Sequence, residues 1–319
     1  MNTTTLTLPY IGADAVFAAV SWAGATDALE NALLGGLDPA TAAERSIVDV
    51  STGQLLLMPA ETASAVGVKL ATVSPDNPGR GMPRIQALYV LLDHETLAPR
   101  ALMDGTALTT LRTPALSAVA VKHLAAPDAR HLVVFGSGPQ AWGHVQTLRS
   151  VRPLDAVTIV GRGRDRAEAL AAQVTATGLP ATVGAAGSVA SADIVVCATT
   201  AGAPVFDSAA LPPQACVVAV GSHDPDGREV DTALVSRAAT EGGVVVETVS
   251  NALQEAGDVI LAIAAGAMTA DQLVEIAAAV RRPQRRPGLS FFKSVGMGWQ
   301  DLVVAQAVFD RVQEGSSGE

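Results

Sequence analysis

Hydrophobic residues follow two different rhythms along this chain. Between residues 130 and 250, short unbroken apolar runs ("HLVVFG", "AVTIVGR", "ADIVVCATT", "ACVVAVGS", "GGVVVE") alternate with Ala-rich segments such as "DRAEALAAQVTATG". Apolar strands separated by helices are strands buried on both faces, so this stretch predicts a parallel, doubly wound α/β sheet. The first third reads otherwise. "RSIVDV" and "GQLLLMP" meet at Ser51, Thr52 and Gly53, a hairpin signal, and "GVKLATV" follows. After the Pro/Gly-rich loop "SPDNPGRGMP" come "IQALYVLLD" and "RALMDG", joined by the turn "HETLAP". These predict an antiparallel meander, preceded by a helix near "TDALENALLGG". A long helical stretch, "LTTLRTPALSAVAVKHLA", leads into the α/β region. Proline is tolerated only near a first turn, so Pro114 predicts a helix that starts later than Leu108, with Arg112 at its beginning. The tail supplies a strand-like run, "LSFFKSVG", and a closing helix, "WQDLVVAQAVFDRV".

Composition narrows the class. A chain of 319 residues is too long for one ordinary core and suits two domains. Hydrophobic residues make up 49% and charged residues 16%, which supports a large core. A net charge of −10 argues against DNA or RNA as partner, because phosphates need a basic face. Cys197 and Cys216 lie inside apolar runs without CxxC spacing, so they read as small buried hydrophobes and no metal site is expected. The start "MNTTTLTLPYIG" lacks a basic, apolar leader, and Gly, Pro or charge interrupts every long apolar run. The expectation is a soluble cytoplasmic protein without a membrane partner. "RRPQRRPG" (281–288) reads as a solvated connector in preference to an anion site.

Candidate chemistry begins at "GSGPQA". Gly136 suits a tight turn, Gly138 lets the backbone approach a pyrophosphate, and Ala141 is small enough for helix–strand packing. Pro139 and Gln140 open a helix whose free N–H groups favour phosphate. The pattern follows a strand and starts a βαβ series, which points to a dinucleotide. The next strand ends in "GRGR", where NAD enzymes usually carry an acidic residue for the ribose 2′-hydroxyl. Arg162 suits a 2′-phosphate, favouring NADP(H) with NAD(H) possible; a surface arginine on a helix-entry loop is the alternative. Lys69 sits mid-strand, Arg45 opens a strand and Arg112 lies in a helix, all in apolar company. Such cations are either snorkelling or paired structural residues, or they line a carboxylate pocket with Lys69 tuned for proton transfer. Spacing leaves both readings open.

"GVKLATV", "LTTLRTPALSAVAVKHLA", "GSGPQA", "VGSHDPDGREVD" and "FFKSVGMGWQDL", in this order, resemble the ornithine cyclodeaminase/μ-crystallin family over nearly the whole chain. The resemblance implies a discontinuous β-rich (α+β) substrate-binding and dimerisation domain, residues 1–117 plus 297–319, and a Rossmann dinucleotide-binding domain, residues 118–296. It implies a homodimer. It matches Arg45 and Arg112 to substrate-carboxylate ligands and Lys69 to the active-site lysine. Gly136 to Gln140 match the pyrophosphate loop. Thr199, Ser294, Val295, Arg112 and Arg84 match positions around the cofactor.

Two departures bear on activity. A glutamate that helps hold the ornithine side chain in cyclodeaminases is Leu56 here. Their acid/base aspartate falls on His223, with Asp224 beside it. His223 is either a proton relay or a histidine packed beside the nicotinamide without chemistry. The resemblance therefore implies an NAD(P)H-dependent imine reductase or amino acid dehydrogenase acting on a small 2-imino or 2-amino acid. Ornithine cyclodeaminase and a non-enzymatic ligand binder are the alternatives.

Overall fold

The computed structural model describes residues 8–316. In chain order its regular elements are β1 (Tyr10–Ile11), α1 (Ala13–Ala19), α2 (Trp22–Leu34), β2 (Ser46–Val50), β3 (Gly53–Glu61), β4 (Ala65–Val73), β5 (Ile85–Asp93), β6 (Pro99–Asp104) and α3 (Gly105–Leu124). There follow β7 (His131–Phe135), α4 (Pro139–Leu148), β8 (Ala156–Val160), α5 (Arg164–Thr175), β9 (Ala181–Val183), β10 (Ile194–Cys197), β11 (Cys216–Ala219), α6 (Thr232–Thr240) and β12 (Gly243–Val246). The chain ends in α7 (Val249–Glu255), α8 (Gly257–Ala264), β13 (Leu273–Glu275), α9 (Ile276–Arg281), β14 (Ser290–Lys293) and α10 (Gly298–Ser316). Short 3₁₀ turns occupy several of the connections. Among the described residues no helix is long and apolar enough to cross a membrane.

The chain divides into two compact units. The first takes the chain up to Ala32, Leu37–Arg112 and the chain from Met297 onward; the second takes Leu33–Gly36 and Thr113–Gly296.

In the first unit six strands form one sheet in the order β1-β6-β5-β4-β3-β2. The run from β2 to β6 is the expected antiparallel meander, and β1 adds a short parallel edge. Alternation along the strands separates two faces. On one face Leu56, Met58 and Ala60 of β3, Ala65, Lys69 and Ala71 of β4, and Tyr89 and Leu91 of β5 are buried, and α10 packs over β3, β4 and β5. The opposite face carries Leu57, Val68, Leu70, Leu88 and Val90, all partly exposed.

The second unit holds eight parallel strands in the order β13-β12-β14-β11-β10-β7-β8-β9. This is the doubly wound α/β sheet that the unbroken apolar runs predict. Val133, Val195, Val217 and Phe291 from the strands, with Leu234, Val235 and Val259 from the helices, belong to its core. Cys197 and Cys216 are buried free thiols in β10 and β11, and burial pushes both above the ordinary thiol range, Cys216 to about 11.

The expectation for α3 needs correcting. The helix starts at Gly105, where the Asp104 carboxylate accepts from the N–H of Ala107 at 2.9 Å, and it continues through Pro114. Arg112 is therefore well inside the helix. A proline there forfeits one hydrogen bond and costs about 3 kcal/mol. Leu111, Ala115, Leu116, Ala118 and Val119 are all fully buried around it, and that burial outweighs the local penalty.

Candidate active site

The first unit brings Lys69 and Arg112 together around a residue that sequence reasoning did not single out. Lys69 is buried in β4, flanked across the ladder by Met58 and Tyr89. Its Nζ donates to Oδ2 of Asp301 at 2.7 Å and to Oγ1 of Thr109 at 3.3 Å. Arg112 Nε lies 3.4 Å from Oδ1 of the same carboxylate, and Nη1 donates to Oε1 of Gln300. Lys69, Arg112, Gln300 and Asp301 are all buried. Burial pulls the Lys69 amine down to about 8; Asp301 opposes that shift, while Arg112 and Arg45 add to it. An amine in that range can gain and lose a proton near neutral pH. Arg45 stands half-exposed at the entrance to β2. Arg84 is exposed in the loop before β5.

Asp301 escaped notice because it is 232 residues from Lys69 and belongs to a helix that reads as ordinary core. One signal was present. "GWQDLVVA" carries a lone acid among apolar residues, as "GVKLATV" carries a lone cation. Two isolated opposite charges, each destined for burial, should be read as partners.

In the second unit Gly136, Gly138, Pro139, Gln140, Arg162 and Thr199 gather at the carboxyl ends of β7, β8 and β10, while Ser294 and Val295 follow β14. The strand order reverses between β7 and β10, the switch point where open α/β sheets bind ligands. Gly136 has φ +121°, and a Cβ there would lie 2.4 Å from the Ala198 carbonyl oxygen, so only glycine makes this turn. Gly138 caps α4, and a Cβ on it would meet nothing within 4 Å, leaving open space above the backbone. Pro139 takes the first helical position and Gln140 the next. Gly136, Ser137, Gly138, Arg162, Arg166 and Thr199 line a cavity of about 470 Å³. Backbone N–H groups at a helix start, an open glycine and two guanidiniums suit a dinucleotide.

Arg166 is a further residue the sequence reading passed over. Arg164, which opens α5 after Gly163, does not line this cavity and pairs with Glu168 at 2.7 Å. His144 was also missed. It is buried in α4, with Nδ1 donating to the Gln140 carbonyl at 2.7 Å and Nε2 accepting from Ser117 at 2.9 Å. Burial lowers its pKa to about 4, so it is a neutral strut under the glycine loop.

Ser294 and Val295 follow β14 and are held by the buried Glu247 carboxylate, which accepts from Ser294 Oγ at 2.9 Å and from the Val295 N–H at 2.8 Å. His223 is exposed in the loop after β11 and does not line the cavity. Its neighbour Asp224 accepts from the Asp226 N–H at 3.0 Å, a local turn. At the position where cyclodeaminases carry glutamate, Leu56 is buried on the same face of the sheet as Lys69.

Known proteins resemble this chain over most of its length. The chain is 34% identical over 297 residues to a Δ(1)-pyrroline-2-carboxylate reductase of Bacillus cereus (strain ZK / E33L), covering 87% of this chain and 90% of that protein. It is 32% identical over 275 residues to the ketimine reductase mu-crystallin of Rattus norvegicus, covering 85% of each. The structure of Thermococcus litoralis Δ(1)-pyrroline-2-carboxylate reductase in complex with NADH and L-proline superposes with a TM-score of 0.89 at 26% identity, covering 97% of this chain and 98% of that one. The ornithine cyclodeaminase/mu-crystallin family matches residues 19–316, and the chain belongs to that family.

Proposed function

We propose that this protein is a cytoplasmic, NAD(P)H-dependent reductase of the C=N bond of small 2-imino acids, with a cyclic imine such as Δ(1)-pyrroline-2-carboxylate as the first substrate to test. The relatives named for pyrroline-2-carboxylate and ketimine reduction support the reaction class. The observation that carries it to this chain is the buried Lys69–Asp301–Arg112 cluster. Arg112 and Arg45 hold the substrate carboxylate and so fix the orientation of the imine carbon. Lys69 delivers a proton to the imine nitrogen, making the iminium that accepts hydride more readily. Asp301 holds the amine in place and keeps it protonated at neutral pH. The nicotinamide, when bound, supplies the hydride. Gly136, Gly138, Pro139 and Gln140 hold the pyrophosphate, with Thr199, Ser294, Val295 and Arg84 further along the cofactor. We assign His223 as a reserve proton donor.

Leu56 disfavours the cyclodeaminase reading. A second ammonium at the end of an ornithine side chain needs an acidic partner when buried, and this face offers leucine. Purified protein with NADPH or NADH should reduce Δ(1)-pyrroline-2-carboxylate. With L-ornithine and catalytic NAD it should release little ammonia and form no proline. Robust proline formation from ornithine, without turnover on a panel of cyclic and linear 2-imino acids, would reverse this assignment.

Cofactor choice follows from the two arginines beside Gly161 and Gly163. Arg162 and Arg166 favour a 2′-phosphate, so kcat/KM should be higher with NADPH than with NADH. Replacing both with serine should cut NADPH efficiency by roughly 10- to 100-fold and leave NADH nearly unchanged. Equal or better efficiency with NADH in the wild type would end the NADPH preference.

The partly exposed apolar face of the first sheet, with Leu57 39% exposed and Val48 and Val50 more so on the edge strand, supports a homodimer formed through this unit. Light scattering at micromolar concentration should give twice the chain mass; a monomer contradicts it.

A further inference from the structure

Beyond the carboxyl ends of β10, β11 and β14 lies a buried ionic cluster that the proposed reaction does not use. Glu229, Asp258 and Lys293 are each at most 1% exposed. Oε1 of Glu229 accepts from the Thr199 N–H at 2.8 Å and from its hydroxyl at 2.7 Å, and Oε2 accepts from the Gly221 N–H at 2.6 Å. One carboxylate thus ties the loop after β10 to the loop after β11. Its own position is fixed in turn. Asp258 Oδ1 accepts from the N–H groups of Glu229 and Val230 at 2.7 and 2.9 Å. Lys293 pairs with Asp258 at 2.9 Å and donates to the Ser222 carbonyl at 2.7 Å. The packing leaves no slack: a Cβ on Gly221 would lie 2.0 Å from the Thr199 carbonyl oxygen and 2.5 Å from Glu229 Oε1.

Burying charges at this depth costs stability unless geometry repays it, and an apolar trio of the same volume would hold the strands together as well. Charge is worth keeping here where it fixes the direction of backbone groups. Thr199 is one of the fixed residues, and it also lines the cavity beside Gly136. The sheet order assigns the two halves of a dinucleotide. The pyrophosphate belongs at the turn after β7 and the adenosine ribose at the end of β8, which leaves the nicotinamide half over β10 and β11. Glu229 holds the backbone of Thr199 and Gly221, the residues that follow β10 and β11.

We propose that Glu229 is a positioning residue for the nicotinamide half of the cofactor, acting through Thr199 and Gly221, with Asp258 and Lys293 holding it in register. Glu229 touches no reacting atom. It sets where the loops after β10 and β11 present their groups. This inference rests on the nicotinamide-binding part of the function proposed above.

The test separates the two halves of the ligand. NADH and ADP are titrated against the full-length wild type, Glu229→Gln and the milder Glu229→Asp, with melting temperatures recorded alongside. A glutamine amide cannot accept from both Thr199 and Gly221, and aspartate is one methylene too short to span them. Either variant should raise the Kd for NADH by roughly tenfold. The Kd for ADP, which lacks the nicotinamide half, should stay within about twofold of wild type. If Glu229→Gln does not fold, the aspartate variant carries the comparison. An unchanged NADH affinity in a folded variant overturns the proposal. So does an equal loss for NADH and ADP, which would mark Glu229 as structural only. A wild type that binds neither NADH nor NADPH fails the functional reading itself, and this inference falls with it.

Discussion

Lys69→Ala is expected to lower kcat for imine reduction by about 10³-fold or more, while NADH affinity stays within about twofold of wild type. The lysine belongs to the first unit and the glycine loop to the second, so the two functions should separate. The wild-type pH profile gives the independent check. In the proposed reaction Lys69 donates as the protonated amine, and burial brings its pKa down to about 8. The reductive rate should therefore hold below pH 8 and fall above it. The reverse, oxidative direction needs the neutral amine and should gain over the same range. Asp301 opposes the burial shift, so Asp301→Asn removes the group that keeps the amine protonated. The falling limb should then move to lower pH, together with a lower kcat. Breaking the buried pair also destabilises the fold, by about 3–5 kcal/mol, so melting should be recorded with every rate. Near wild-type kcat in Lys69→Ala would make the lysine structural and turn attention to His223.

Gly136→Ala should be among the most damaging single methyl groups that can be added to the second unit. Its φ of +121° excludes an L side chain without strain, and the new Cβ would sit 2.4 Å from the Ala198 carbonyl oxygen. Gly136 and Ala198 directly follow the neighbouring parallel strands β7 and β10, and the atom met is a backbone oxygen, so it cannot rotate away. The strain should cost at least about 2 kcal/mol of stability, and displacement of the turn should weaken NADH binding by at least about 100-fold. Gly138→Ala is the informative companion. Its φ is −98°, and a Cβ would meet nothing within 4 Å in the protein. That variant should melt like wild type and yet bind NADH more weakly, because the space it fills is the space the pyrophosphate needs. Isothermal titration with parallel melting curves distinguishes the two. Equal behaviour of the two variants would show that the glycines serve the fold alone.

The contrast between these glycines and Asp301 shows where sequence reading works. Strand type was legible because the unbroken apolar runs such as "HLVVFG" are spaced by helical segments, while "RSIVDV" and "GQLLLMP" are joined by a short turn at Ser51 to Gly53. The glycine loop was legible because strand, turn and helix are contiguous. Pro114 was misjudged because a local penalty was weighed without the surrounding burial that offsets it. Asp301, Arg166 and His144 were missed for a common reason: each is defined by what it faces after folding. His144 is one apolar-flanked histidine in a helix until Ser117 comes within 2.9 Å. Asp301 is one acid in a helix until β4 arrives beneath it. Periodicity reports which way a side chain points, and it does not report what waits there.

The first unit is assembled from chain that leaves it after Arg112 and returns at Met297. During synthesis on the ribosome the two units therefore finish in reverse order. The second unit is complete once residue 296 has emerged, since nearly all of it is one continuous stretch. The first unit began earlier, yet it lacks α10 until Gly298–Ser316 has emerged. Until then the sheet holds Lys69 without its counter-charge and without the helix that covers β3, β4 and β5. A nascent chain stalled before Met297 thus carries a finished nucleotide-binding body and an apolar, cation-bearing sheet open to water, the kind of surface that chaperones recognise. Burial of that sheet and the pairing of Lys69 with Asp301 arrive together, with the same helix.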